Sequence, residues 1–167
     1  VLLPAYLLMQ INAMMIHKWG QTPREDEIIS SALKGLDNRY SLYHYTTAVP
    51  HLLVGPGGIW VINANHQPGQ ISYDEKKKKY IQKGGGNILT KVFTVDTLSD
   101  IERDSKKLLN AVKDYFQKME INDYPEPEVV NVFYHPKAKI DAKNAPELTI
   151  HIDKLKDLVR RKERTMP

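Results

Sequence analysis

Histidines and carboxylates are the side chains through which this chain could do metal or acid–base chemistry, because it contains no cysteine. The six histidines show none of the short spacings that metal sites use. As lone histidines near predicted strands, His51 and His66 are more typical of hydrogen-bonded core residues than of metal ligands. No serine lies in a nucleophile elbow, and Gly84–Gly86 lacks the lysine and hydroxyl of a phosphate-binding loop. The histidines are His17, His44, His51, His66, His135 and His151.

A lysine-rich segment is the clearest candidate for contact with an anionic partner. Residues 74–83 carry five lysines against one Asp and one Glu. Here lysines could meet phosphates while Tyr73 and Tyr80 stack on bases, which would suit nucleic acid or another anionic surface. The alternative is a solvated hairpin whose lysines prevent edge-to-edge sheet association. The lysines concerned are Lys76, Lys77, Lys78, Lys79 and Lys83.

Length and composition place the chain among single globular domains. Its 167 residues fit one domain and allow a buried core. With 41% hydrophobic and 26% charged residues, a disordered chain, a collagen-like fibre and a multi-span membrane protein are excluded. The net charge of +4 permits an anionic partner without requiring one.

The first residues predict a membrane anchor. Val1–Ile16 contains 13 apolar residues among 16 and no charge, and Lys18 and Trp19 follow it. A spanning helix needs about 20 apolar residues, but Trp and a cation at the end of an apolar run are typical cytoplasmic-side anchors. We therefore expect residues 1–19 to be the last part of a transmembrane helix and residues 20–167 to form a domain at the cytoplasmic face. The alternatives are a core helix in a cytoplasmic protein and, fitting poorly, a signal peptide.

The remaining pattern predicts an α/β fold. A capping box at Thr22–Glu25 would begin a helix that runs to about Leu36, and a second at Ser99–Glu102 would begin the longest helix. Closely spaced strands separated by turns are expected to pair antiparallel, and the strand after the long helix is expected to return parallel. The result is a mixed sheet flanked by helices. The predicted strands are residues 40–47, 50–54, 59–63, 70–73, 129–134 and 148–152.

The sequence HLLVGPGGIWVIN at His51–Asn63, between the helix Arg24–Leu36 and Gly69, resembles the nuclease-related domain, or NERD. The resemblance extends over about residues 23–152 and is most specific at His51–Pro56 and Gly58. It implies a restriction-endonuclease-like fold with a PD-(D/E)xK active site, here in a membrane-anchored bacterial member.

The resemblance implies three catalytic positions, and this chain replaces all of them. The Asp expected immediately before His51 is Pro50, and the expected Glu-x-Lys has Asn63 and Asn65 in place of its Glu and Lys. In such a site two carboxylates hold Mg²⁺, which polarises the phosphate and activates water, while the lysine stabilises developing charge. A proline and two neutral amides supply none of these charges, so we expect no catalytic residue, no metal and no cofactor.

The expected function is therefore that of a pseudoenzyme. The domain would act as a binding or accessory subunit of a larger assembly, with the membrane and a protein complex as partners and nucleic acid more weakly indicated. The alternative is a Mg²⁺-dependent DNA endonuclease with displaced ligands drawn from Glu25, Glu27, Asp74 and Glu75. In that alternative Glu25 is the residual metal ligand, whereas the preferred interpretation gives it only the capping-box role.

Overall fold

The computed structural model describes residues 23–84 and 101–165, together with Met9 and Leu98. Apart from Met9, the predicted apolar helix lies outside the described residues, as do Lys18, Trp19 and Thr22. Within the described ranges, none of the helices combines the length and the apolar character needed to cross a membrane.

Five strands form the main sheet, in the order β1-β2-β3-β6-β8. β1 (Ser41–His44), β2 (His51–Gly55) and β3 (Gly58–Asn65) make a consecutive antiparallel meander. β6 (Glu128–Phe133) lies parallel to β3, and β8 (Leu148–His151) lies parallel to β6. The predicted α/β class, the meander and the parallel return after the long helix are confirmed.

A second, three-stranded sheet was not predicted. It consists of β4 (Gly69–Asp74), β5 (Lys79–Lys83) and β7 (Ala138–Asp141), in the order β5-β4-β7. Gly69 starts it at a φ of +89°, and a Cβ there would lie 2.7 Å from the carbonyl oxygens of Lys83 and Gly84. Only glycine fits this close approach. The chain passes from the main sheet to the second sheet at this position.

In the described part of the chain, three helices cover the main sheet: α1 (Glu25–Leu33), α2 (Ile101–Lys118) and α3 (Leu155–Thr165). A 3₁₀ turn at Ile152–Lys154 precedes α3. Because successive strand residues point to opposite faces, Leu53 and Ile62 pack against α1 and α3, whereas Leu52 and Val61 pack against α2. The same alternation places His51 on the α1 face and Asn63 and Asn65 on the α2 face.

The start of α1 differs from the predicted capping box. The backbone N–H of Arg24 donates to Oε2 of Glu27 at 3.0 Å, so Glu27 caps the helix. Glu25 lies in the first turn and its carboxylate turns toward the sheet. The interpretation of Glu25 as the capping residue is therefore wrong, and its side chain belongs to the site described next.

Candidate functional site

Four polar side chains form one continuous hydrogen-bonded chain between α1 and the main sheet. Oε1 of Glu25 lies 2.5 Å from Nε2 of His51. Nδ1 of His51 lies 2.7 Å from Nδ1 of His44, and Nε2 of His44 lies 2.9 Å from Oγ of Ser30. We call Glu25, His51, His44 and Ser30 the histidine chain.

Strand pairing and helix docking bring these residues together. His44 ends β1 and His51 begins β2, and the antiparallel register pairs them directly. Their rings meet edge to face with centroids 4.9 Å apart. The reversal between them is tight, since Tyr45 has a φ of +55° and donates its backbone N–H to the Pro50 carbonyl. Ile29 and Leu33, which are buried in the core, fix α1 against the same face of the sheet.

The histidine chain passes through the interior at His51 and reaches the surface at Ser30. The side chain of His51 is 1% exposed, whereas Ser30 is exposed to solvent. At the other end, where the Glu25 side chain is 29% exposed, the Tyr134 hydroxyl donates to Oε2 of Glu25 at 3.3 Å, so both carboxylate oxygens are hydrogen-bonded. This anchors one end of the chain and leaves the serine hydroxyl accessible at the other.

With Glu25 ionised, both histidines neutral and Ser30 donating to His44, proton counting gives the chain one direction. A carboxylate only accepts, so His51 donates from Nε2 and its Nδ1 must accept. His44 then donates from Nδ1, which leaves its Nε2 to accept the Ser30 hydroxyl. One proton added at Nε2 of His44 reverses the hydrogen bond to Ser30, which becomes the acceptor, while the other two hydrogen bonds keep their direction.

Acid is expected to destabilise the protein through His44. Burial and the neighbouring His51 hold the pKa of His44 below its usual 6.5, although Asp26 and Glu25 oppose this. The unfolded chain therefore binds a proton at a higher pH than the folded one, so this contribution to stability is lost as pH falls below about 6.5. The slope stays under about 1.4 kcal/mol per pH unit, the limit for one proton. Urea unfolding of the wild type and of His44→Gln between pH 7.5 and 5 measures how the free energy of unfolding depends on pH. If the two proteins show the same dependence, it does not arise from His44.

The replaced catalytic positions lie on the opposite face of the sheet. Asn63 and Asn65 end β3 on the α2 side, and Nδ2 of Asn63 donates to Oδ1 of Asn131 at 2.8 Å. The Ser105 hydroxyl from α2 donates to the same oxygen at 3.1 Å, and Nδ2 of Asn65 donates to the Asn63 carbonyl. We call Asn63, Asn65, Asn131 and Ser105 the amide cluster. Pro50 directly precedes β2, whose register with β3 places it at the same end of the sheet.

The carboxylates of the predicted displaced metal site are not brought together. Glu25 bonds to His51 on the α1 face, while Asp74 accepts the backbone N–H groups of Lys76 and Lys77 in the second sheet. Glu27 caps α1, and Glu75 accepts from Asn144. Across the described residues there is no group of three or more His, Asp or Glu placed to hold a metal ion.

His66 follows β3 and lies beside two aromatic rings. Its ring stacks on Tyr134 with centroids 4.8 Å apart, and the His135 ring lies at the same distance. The backbone carbonyl oxygen of His135 lies 3.3 Å from Nε2 of His151. His66 is thus separate from the histidine chain, although Tyr134 contacts both.

The lysine-rich segment forms the β4–β5 hairpin. Lys76, Lys77, Lys78 and Lys79 are all exposed, as the hairpin interpretation expects. Tyr80, however, is only 6% exposed, and its hydroxyl lies 2.8 Å from Oγ1 of Thr149. Stacking of Tyr80 on a nucleic-acid base is therefore ruled out by burial, while contact of the lysines with an anionic surface stays a prediction.

Sequence reasoning missed Ser30 and His44. No spacing motif connects them to Glu25 and His51, because the four residues meet through strand register and helix docking. The available signal was the pair His44 and His51 at the two ends of a predicted reversal. Antiparallel pairing across that reversal makes them neighbours.

Comparison of the chain with models of protein families, with curated proteins and with solved structures found no match.

Proposed function

We propose that this chain is a nuclease-related domain of restriction-endonuclease-like fold that has lost its catalytic residues and acts as a binding or accessory subunit. In this proposal residues 1–19 tether the domain to the cytoplasmic face of a membrane. The observation that carries the proposal is the amide cluster, where hydrogen-bonded neutral amides occupy positions for which the resemblance implies a carboxylate and a lysine.

The element order supports the proposal. A helix, an antiparallel meander, a long helix and a parallel strand beside β3 follow one another, as the resemblance implies. The end of β3 lies at the centre of the main sheet, between β2 and β6. Side chains from three elements meet there, because Asn63 of β3 and Ser105 of α2 both donate to Asn131 of β6.

The chemistry of the cluster supports loss of catalysis. Oδ1 of Asn131 already accepts two hydrogen bonds, and the Asn63 amide is turned to donate to it. Mg²⁺ is held in proteins chiefly through charged carboxylate oxygens, and Pro50 offers no side-chain ligand at all. The residues present therefore do not fit a catalytic magnesium ion.

Restoring the three side chains tests the proposal. Calorimetric titration of the wild type with Mg²⁺ or Mn²⁺ is expected to show no site tighter than about 1 mM, and plasmid DNA should stay intact. The triple variant Pro50→Asp, Asn63→Glu, Asn65→Lys is expected to gain a Mn²⁺ site, because two carboxylates then face the same end of the sheet.

A matched control adds a carboxylate elsewhere. Asn122→Glu, on an exposed loop, should leave metal affinity unchanged. If the triple variant gains no affinity, the assignment of Pro50, Asn63 and Asn65 to the catalytic positions fails. Metal-dependent cleavage by the wild type that disappears in Glu25→Gln would establish the displaced-ligand nuclease instead.

A further inference from the structure

Ser30 combines exposure with a hydrogen bond to a histidine that is itself held in place. Its Oγ lies 2.9 Å from Nε2 of His44, and the other ring nitrogen of His44 is bonded to the buried His51. A hydroxyl, a histidine base and a group that orients the base are the parts that activate a serine nucleophile. We infer that Ser30 is a nucleophile activated by His44, and that it accepts an acyl group from activated carboxylic esters.

The direction of the hydrogen bonds supports this role. The Glu25 carboxylate accepts a hydrogen bond from Nε2–H of His51, so the tautomer of each histidine follows from its neighbour. His44 then presents an unprotonated Nε2 to the serine, as a general base must. Glu25 and His51 are positioning residues, because they act on Ser30 only through His44.

The reaction step balances without any further reactant. Oγ of Ser30 bonds to the carbonyl carbon of the ester while its proton passes to Nε2 of His44. Collapse of the tetrahedral intermediate breaks the bond to the leaving alcohol, which takes the proton from His44 as it departs. The products are an acylated Ser30 and a free alcohol, and the histidine chain returns to its starting protonation.

His51 can carry the positive charge that develops on His44 during the reaction. When Nε2 of His44 gains a proton, the proton on its Nδ1 can pass across the hydrogen bond to Nδ1 of His51, since the two nitrogens lie 2.7 Å apart. The positive charge then lies on His51, in direct contact with the Glu25 carboxylate at 2.5 Å.

Covalent labelling tests the inference on the full chain. The wild type is incubated with p-nitrophenyl acetate or with an alkyl fluorophosphonate and then analysed by intact mass and peptide mapping. One adduct on Ser30 is expected, with none in Ser30→Ala. In His44→Gln the acylation rate should fall by about 100-fold or more, as for loss of a general base.

Ser31 provides the matched control. It is also exposed and follows Ser30 on α1, but it points about 100° away around the helix axis and lies outside the histidine chain. Ser31→Ala should label as fast as the wild type. The absence of an adduct, equal labelling of Ser30→Ala, or equal rates in His44→Gln would each overturn the inference.

A spectroscopic measurement separates activation from a purely structural hydrogen bond. Nitrogen NMR of the imidazoles at pH 7.5 is expected to show the Nδ1–H tautomer for His44 and the Nε2–H tautomer for His51. The acylation rate should rise with pH through the titration of His44, whose neighbours are Ser30, Asp26 and Glu25 of α1 and His51 of β2. The Nε2–H tautomer on His44, or a rate independent of pH, would contradict the role assigned to it.

Discussion

The variant His51→Ala is expected to lower the free energy of unfolding by about 3–5 kcal/mol. Three losses combine. The ring is completely buried, so its removal leaves a cavity. The Glu25 carboxylate loses its partner at 2.5 Å, and Nδ1 of His44 loses its partner at 2.7 Å. Both groups are only partly buried, with the Glu25 side chain 29% exposed, so the cavity left by the ring is the largest of the three losses.

Chemical unfolding in urea, followed by circular dichroism, measures this loss. Ser30→Ala is the matched control, because it removes the exposed end of the same chain at a helical position where alanine is favourable. It should change stability by less than about 0.5 kcal/mol. Glu25→Gln should lie between the two variants, since an amide oxygen can still accept from His51. A loss below about 1 kcal/mol in His51→Ala would contradict the buried network.

The main sheet was predictable because its signals are local. The turn Gly55–Gly58 and the apolar runs on each side predict the antiparallel pairing of β2 and β3. The long helix before Glu128–Phe133 predicts a parallel return, since a crossover of that length favours one. These elements carry their own patterns, and the structure agrees with them.

The second sheet was not predictable, because its strands carry competing signals. β5 begins and ends with lysine, and it directly follows a run of three more lysines. The hydrophobic residues Tyr80 and Ile81 alone are too short a pattern to predict a strand there. β7 has only four residues and is ordered by its parallel pairing with β4, about 70 positions earlier in the chain. Local pattern contains no information about such a distant partner.

The site was only partly predictable, for a related reason. Glu25 and Glu27 both fit a capping role in the first turn of α1, and the sequence alone does not choose between them. The choice is made by His51, which lies 26 residues away and offers Glu25 a buried hydrogen bond. Glu27, which remains exposed, takes the cap. The positions of Asn63 and Asn65 at the end of β3, by contrast, follow directly from the predicted strand.

The variant Asn131→Asp is expected to cost about 3–5 kcal/mol at pH 7, because it places an uncompensated charge in the centre of the main sheet. Asn131 is completely buried in β6, between β3 and β8. One carboxylate oxygen would keep the hydrogen bonds from Asn63 and Ser105. The other would replace Nδ2, which has no hydrogen-bond partner among the described residues, and would therefore be both desolvated and unpaired.

The pH dependence of Asn131→Asp distinguishes a buried charge from a packing defect. Desolvation should raise the pKa of the new carboxyl above the value of about 3.9 that it has in the unfolded chain. Stability relative to the wild type should then recover as pH falls from 7 toward 4, opposite in sign to the effect of His44. Asn122→Asp, on an exposed loop, is the control and should show neither the loss nor the recovery. A loss that is independent of pH would mean that the carboxyl has the same pKa in the folded and unfolded chains, and that the amide cluster does not exclude charge from this end of β3.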